Sequence, residues 1–162
     1  LGGSKAGGAG WGDFNGDGKA DLLWRNKVNG KNIVWFMDGV TRTGHQFIPA
    51  EADLDWEIEA LGDFNGDEKV DIVWRLFRSP CTARVWYMDG TTYTGTGTIG
   101  DVGDLMWNIE NAGDYNNDGH TDLVWRNYTT GKNVIWYMDG ATRTGHAFLD
   151  TVSGLDWSIC NR

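Results

Sequence analysis

Short runs of alternating apolar and polar residues predict β-strands along most of the chain. Segments 56–62 (WEIEALG) and 107–113 (WNIENAG) place Trp, Ile and then Ala or Asn at every second position, as a half-buried strand requires. Segments 21–25 (DLLWR) and 32–37 (NIVWFM) are rich in β-branched and aromatic residues, and the turn between them predicts a hairpin. Segment 43–48 (TGHQFI) follows a DG turn and predicts a shorter strand. Because no segment has the helical period of about 3.6 residues, we expect an all-β fold.

This strand pattern occurs three times in the chain. An acidic segment at 13–21 (DFNGDGKAD) returns at 63–71 (DFNGDEKVD) and 114–122 (DYNNDGHTD), in steps of 50 and 51 residues. Four-stranded repeats of this length are typical of β-propeller blades. We predict a flexible tail or partial strand at 1–8, followed by blade units at 9–62, 63–113 and 114–162. The last unit includes a trailing strand (WSICNR) that belongs to a next unit.

Three units are fewer than the roughly four to eight blades that close a propeller. The two ends of the chain resemble complementary halves of one further unit, since GWGD has no Trp-x-Ile segment ahead of it and WSICNR has no acidic segment after it. We therefore expect either closure by oligomerisation, with two chains giving six blades as one option, or a segment excised from a larger propeller. The alternative fold is a β-trefoil, although the long acidic loop in each unit argues against it.

Each unit carries an acidic loop whose spacing suits calcium. Ca²⁺ takes six to eight oxygen ligands from carboxylates, amides, main-chain carbonyls and water. In a D-x-N-x-D-x-x-x-D loop, positions 1, 3, 5 and 9 would turn side chains inward, and position 7 would offer its carbonyl. We predict up to three Ca²⁺ per chain, held by Asp13, Asn15, Asp17, Lys19 and Asp21, by Asp63, Asn65, Asp67, Lys69 and Asp71, and by Asp114, Asn116, Asp118, His120 and Asp122.

Position 6 of the loop distinguishes the middle copy. Gly18 and Gly119 suit the sharp turn expected there, whereas Glu68 does not, so we expect the middle site to be strained, weaker or differently shaped. An EF-hand is excluded because position 12 is a tryptophan in every copy and the flanking segments are predicted strands. Mg²⁺ is a weaker candidate because it keeps its waters, and metal-free turns closed by Asp and Asn side chains are the remaining alternative.

The net charge of the chain limits the classes of partner that it can bind. A net charge of -9 argues against nucleic acid and anionic membranes, which require basic surface. No apolar run approaches the roughly 18 residues of a membrane-spanning helix, so we expect no membrane insertion. Cys81 and Cys160 occupy non-equivalent repeat positions, which excludes a repeated disulfide framework but leaves open two thiols or one disulfide.

The tryptophans and nearby polar residues are candidates for a ligand site. Three tryptophans recur per unit and Trp11 stands outside the pattern; they either pack between blades or line clefts where an aromatic face stacks on a sugar. The first and third units share polar residues and a TRTGH motif that the second lacks, which favours ligand sites in those two units. The candidate residues are Trp24, Arg25, Asn26, Lys31, Asn32, Trp56, Trp107, Trp125, Arg126, Asn127, Lys132 and Asn133.

Through the acidic loop and the WYMDG strand, the units resemble the FG-GAP and VCBS repeats of integrin-α-like β-propellers, over nearly all of residues 9–162. The resemblance implies a propeller of about seven blades, located outside cells, with structural calcium at the blade edges. Some members of that family are sugar-binding lectins, and others are non-catalytic parts of secreted enzymes or adhesion proteins. The chain departs from the family in its three-unit length and in Glu68.

The sequence predicts a binding module and no enzyme. It contains neither a Gly-x-Ser-x-Gly nor an HExxH motif, and its clustered carboxylates are assigned to metal. We expect a calcium-stabilised, secreted or cell-surface module that binds carbohydrate. The alternatives are a structural or protein-adhesion propeller without sugar binding, and an accessory part of a secreted polysaccharide-degrading enzyme.

Overall fold

Strands make up the architecture of the protein. The computed structural model describes residues 12–159, which contain no helix, and hence no helix long and apolar enough to cross a membrane. The strands within that range are β1 (Leu22–Arg25), β2 (Asn32–Asp38), β3 (Thr41–Ile48), β4 (Trp56–Gly62), β5 (Asp71–Leu76), β6 (Thr82–Asp89), β7 (Thr92–Asp101), β8 (Trp107–Gly113), β9 (Asp122–Asn127), β10 (Asn133–Asp139) and β11 (Thr142–Leu149).

The strands form three antiparallel sheets, each built from consecutive strands. Sheet one has the order β1-β2-β3, sheet two β4-β5-β6-β7, and sheet three β8-β9-β10-β11. Consecutive strands pair in this way because short hairpin turns keep neighbours in the chain adjacent in space. The predicted all-β fold with blade-like repeats is confirmed. The trefoil alternative is wrong, since the strands form three separate sheets, each of consecutive strands.

Sheets two and three begin one strand earlier than the corresponding predicted units. Trp56–Gly62 pairs with β5 in sheet two, and Trp107–Gly113 pairs with β9 in sheet three. The boundaries 9–62, 63–113 and 114–162 therefore cut through the sheets. Each acidic loop of sheets two and three lies inside its sheet and connects the first strand to the second.

The predicted trailing strand is wrong for the described residues 157–159, which form no strand. Trp157 is 69% exposed there. Its counterparts Trp56 and Trp107 pair with the strand that follows the next acidic loop. The predicted tail at 1–8, Trp11 and Cys160 lie outside the described residues, whereas Cys81 is buried.

The hydrophobic core lies between the sheets. One cluster joins Phe14, Val34 and Ile48 of sheet one and its loop to Ile72, Trp74 and Trp86 of sheet two. A second cluster joins Phe64, Val73 and Val85 to Ile109, Leu123 and Trp125 of sheet three. The face of a sheet on the side of the preceding sheet in chain order is called here its front face, and the face on the side of the following sheet its rear face.

Equivalent residues differ in burial according to whether a sheet covers them. Trp74 and Trp125, on the front faces of sheets two and three, are fully buried, whereas Trp24 on the front face of sheet one is 48% exposed. On the rear faces, Phe14 is buried, whereas its counterpart in sheet three, Tyr115, is 42% exposed. Within residues 12–159, the front of sheet one and the rear of sheet three are therefore uncovered.

Candidate functional site

The first aspartate of each acidic loop lies at the centre of the turn. The carboxylate of Asp13 accepts hydrogen bonds from the backbone N–H groups of Gly16, Asp17 and Gly18 at 2.8, 3.2 and 2.7 Å. Asp63 accepts the equivalent bonds in the middle loop, and Asp114 accepts those from positions 5 and 6 in the third. The loop backbone is therefore wrapped around this side chain.

The third and fifth side chains continue the same turn. Asn15 Oδ1 accepts a 2.9 Å bond from the N–H of Asp17, and Asp17 Oδ1 accepts one of 2.9 Å from the N–H of Lys19. The other two loops repeat both bonds. In the third loop, the bond from the N–H of His120 lowers the pKa of Asp118. Since an ionised carboxylate has about four acceptor sites, these bonds leave oxygen lone pairs free for a cation.

The middle loop keeps the backbone shape of the other two. Glu68 adopts the left-handed conformation with φ of 63°, close to the 81° of Gly18 and the 90° of Gly119. Its N–H donates to Asp63 at 2.7 Å, as the N–H of Gly18 does to Asp13. The expectation of a different shape is therefore wrong. The left-handed φ of Glu68 agrees with the expectation of strain, since a residue with a Cβ adopts this conformation at a free-energy cost of about 1–2 kcal/mol.

The ninth position has a structural role in every copy. The two carboxylate oxygens of Asp71 accept the backbone N–H of Phe64 at 3.0 Å and of Met88 at 2.9 Å. Asp21 and Asp122 make the equivalent pair of bonds. Burial raises the pKa of Asp71 to about 6, and the two backbone hydrogen bonds oppose that rise. This aspartate links the acidic loop to the third strand of its sheet.

The loop side chains fit a calcium ion by their chemistry. Asp13, Asn15 and Asp17, with their counterparts, supply the hard oxygen donors that Ca²⁺ prefers. Lys19 and Lys69 pair with Asp38 and Asp89, at 3.1 and 2.7 Å, which leaves their carbonyls as the groups to serve at position 7. In the described part of the chain, no three His, Cys, Asp or Glu side chains form a ready-made metal cluster. The ninth aspartate would have to share its oxygens between the cation and the backbone.

The arginine of the repeated WR pair holds the connection that follows its sheet. Arg25 Nη2 donates to the carbonyl of Asp53 at 3.2 Å, and Arg75 Nη2 donates to that of Asp104 at 3.1 Å. Arg126 Nη2 donates to Gly154 at 3.0 Å. Each acceptor lies three residues before the next repeated tryptophan. This common contact accounts for the recurrence of the WR pair in all three units.

The predicted polar ligand residues also have structural partners. Asn26 and Asn127 accept backbone N–H groups of the turns that follow them, at 2.9 to 3.1 Å. Asn32 and Asn133 each donate to the carbonyl of a residue in the next connection, at 2.8 Å. Lys31 and Lys132 are exposed. The structure thus brings the arginines and asparagines into loop stabilisation and does not gather them into a ligand site.

The tryptophans divide into packing residues and cleft residues. Trp74 and Trp86 lie 4.7 Å apart between ring centroids, as do Trp125 and Trp136. Trp74 and Trp125 are fully buried, which supports the packing interpretation for this position. Trp56 and Trp107 are half-buried and lie on front faces, where adjacent sheets meet.

A cleft of about 200 Å³ opens on the front face of sheet three, beside the connection that leads from sheet two, and is called here the second cleft. Its walls are Val102, Trp107, Trp125, Val134, Trp136, Arg143, His146 and Phe148. The guanidinium of Arg143 lies 4.6 Å from the centroid of the Trp136 ring, and His146 meets Phe148 edge to face at 5.3 Å. Aromatic faces and nitrogen donors therefore line one cleft. The sequence prediction included Trp107 and Trp125 but missed the others as site residues, although the TRTGH motif supplies both Arg143 and His146.

Models of known repeat families match three segments of the chain. The model of an FG-GAP-like repeat matches residues 13–74 and 63–125, and that of an FG-GAP repeat matches residues 107–145. Together these matches cover most of the chain. FG-GAP repeats are blades of propellers that are typical of extracellular or surface proteins. No curated protein and no solved structure matches the chain significantly.

Proposed function

Because the chain belongs to the FG-GAP repeat family, we propose that it is a calcium-stabilised extracellular binding module, without enzymatic activity, whose ligand is a carbohydrate. The family supports a binding role and a location outside the cell. The observation that supports a carbohydrate ligand is the second cleft, where aromatic faces and nitrogen donors line one space.

The lining of the second cleft matches the two surfaces of a sugar ring. An aromatic face packs against the C–H face of a pyranose, and polar side chains at its rim bind hydroxyl groups. Trp107 supplies the aromatic surface, because the guanidinium of Arg143 lies over the Trp136 ring, while Arg143 and His146 supply donors. A volume of about 200 Å³ is below the roughly 300–1,000 Å³ of drug-sized sites, so the cleft suits one sugar ring of a longer glycan.

Calcium would act on the scaffold of the sheets. The ion would be held by Asp13, Asn15 and Asp17 and by their counterparts in the other loops. Bound there, it supplies positive charge that offsets the repulsion between loop carboxylates. The acidic loops of sheets two and three connect the first strand of each sheet to the second. A loop made rigid by an ion would therefore also hold these strands and the neighbouring clefts in place.

A second copy of the chain is the proposed partner for the front face of sheet one. On the rear of sheet three, Tyr115 and Leu149 occupy the repeat positions by which Phe14 and Ile48 cover sheet two. The rear of sheet three in one copy can therefore cover Trp24 in another, as sheet one covers Trp74. Two copies joined at both ends would give six blades.

A glycan array probed with and without EDTA tests the carbohydrate proposal. We expect binding that Arg143→Ala weakens at least tenfold. Arg78→Ala is the control, because Arg78 is half-exposed, pairs with Asp53 and Asp55 and does not line the second cleft. Absence of glycan binding by the intact protein overturns the proposal and favours a protein-adhesion module. Turnover of a polysaccharide would instead favour the alternative that the chain is an accessory part of a polysaccharide-degrading enzyme.

A further inference from the structure

The region on the front face of sheet two that is equivalent to the second cleft, called here the first cleft, is occupied by a side chain of the protein itself. The guanidinium of Arg84 lies 3.9 Å from the centroid of the Trp56 ring and 5.4 Å from that of Trp86. Arg84 Nη2 also donates a hydrogen bond to Glu51 Oε2. The Arg84 and Glu51 side chains are only 23% and 16% exposed. A paired, planar cation therefore covers the aromatic surface of this cleft.

The second cleft has the same aromatic residues without this pair. Strand pairing identifies the counterparts, since Arg84 lies opposite Trp74 and Val134 lies opposite Trp125. Glu51 and Val102 each precede the repeated tryptophan by five residues, at Trp56 and Trp107. Two aliphatic side chains thus replace an ion pair, and neither is long enough to cover the tryptophan face as arginine does.

We propose that Arg84 and Glu51 form a built-in plug that excludes ligand from the first cleft, and that Val102 and Val134 keep the second cleft open. This inference rests on the proposed carbohydrate function for the identity of the ligand. The guanidinium occupies the aromatic face on which a sugar ring would stack, and Glu51 balances its charge within the cleft. The plug therefore makes two similar clefts unequal in ligand binding.

The first cleft also lacks the donors of the second. Tyr93 lies opposite Met88 as Arg143 lies opposite Met138, and Thr96 lies opposite Trp86 as His146 lies opposite Trp136. Tyr93 contacts Trp86 edge to face at 5.4 Å. Removal of the plug alone would expose the aromatic surface but would not supply the nitrogen donors. A functional first cleft requires both changes.

Reciprocal variants test the plug with the glycan that gives the strongest array signal. Transplanting the plug with Val102→Glu and Val134→Arg should reduce affinity at least tenfold, while circular dichroism shows retained strands. Opening the first cleft with Glu51→Val, Arg84→Val, Tyr93→Arg and Thr96→His should add one bound glycan per chain in calorimetry. If the wild type binds glycan and the transplanted plug leaves affinity unchanged, the inference is overturned.

A second readout tests the plug without any ligand. In protein labelled with 5-fluorotryptophan, the ¹⁹F resonances of Trp56 and Trp107 can be assigned by replacing each residue with Phe. The change in ¹⁹F chemical shift between H₂O and D₂O reports how far water reaches the ring. This change should become larger for Trp56 in the double variant Glu51→Val with Arg84→Val. It should become smaller for Trp107 when the plug is transplanted. Unchanged shifts in both variants overturn the plug, whereas changed shifts in a protein that binds no glycan overturn the carbohydrate proposal alone.

Discussion

The carboxylate of Asp71 accepts a 2.9 Å hydrogen bond from the backbone N–H of Met88, seventeen residues later in the chain. The same bond joins Asp21 to Met37 and Asp122 to Met138. It connects the last residue of the acidic segment to the first residue of the MDG motif. The two motifs therefore recur together because each sheet needs both ends of this contact.

Replacing Asp71 should destabilise the protein even without metal. In Asp71→Asn, one oxygen becomes an NH₂ group that faces a backbone donor, so one buried N–H loses its acceptor, at a cost of about 1–3 kcal/mol. Urea unfolding in EDTA measures this loss. Asp89→Asn is the control, because Asp89 pairs with Lys69 at the surface and should contribute at most about 1 kcal/mol. Equal losses in the two variants would contradict a structural role for Asp71.

Removal of calcium should lower thermal stability. Chelation leaves the carboxylates of each loop in mutual repulsion, and an ion that binds the folded state alone stabilises it by linkage. Scanning calorimetry in EGTA and in millimolar CaCl₂ should show a lower Tm in chelator. MgCl₂ at the same concentration controls for charge screening. A Tm that is identical in EGTA and CaCl₂ would contradict structural calcium.

Glycine at position 68 should stabilise the middle loop. Glu68→Gly removes about 1–2 kcal/mol of left-handed strain, partly offset by the greater freedom of glycine in the unfolded chain, so we expect a net gain of roughly 0.5–1 kcal/mol. Gly18→Ala is the reciprocal variant, since a Cβ at Gly18 meets no atom within 4 Å and adds backbone strain without adding charge. In urea unfolding with EDTA, the free energy of unfolding should rise for the variant at Glu68 and fall for the variant at Gly18. A change of the same sign in both variants would contradict backbone strain at position 68.

Trp24 should contribute to self-association. Light scattering should give twice the 18.0 kDa chain mass for the two-copy assembly, and Trp24→Ser should shift the protein toward the single-chain mass. Trp24 is 48% exposed on the uncovered front face, whereas the 98% exposed Val40 lies in a turn. Val40→Ser is therefore the control and should leave the mass unchanged. A single-chain mass for the wild type at all concentrations would contradict the assembly.

The sequence predicted features that depend on neighbours in the chain. Alternation along WEIEALG placed β4 at Trp56–Gly62 correctly, because successive side chains of a strand point to opposite faces of the sheet. The repeated spacing indicated the blades and the turn around Asp13, because loop hydrogen bonds span only a few residues. The predicted units begin at the acidic segments because these mark the repeat most clearly, whereas sheets two and three take their first strand from before that segment.

Only the tertiary structure decided the role of each repeated side chain. Trp24 and Trp74 are equivalent in sequence, yet one is half-exposed and the other fully buried, because burial depends on a neighbouring sheet. Arg84 covers Trp56 through a pairing with Glu51, thirty-three residues away. The sequence by itself therefore determined the strands, the repeat and the acidic loops, which arise from local periodicity and short-range bonds. The packing of one sheet on the next decided which tryptophans form core and which cleft stays open, since those contacts join residues from different repeats.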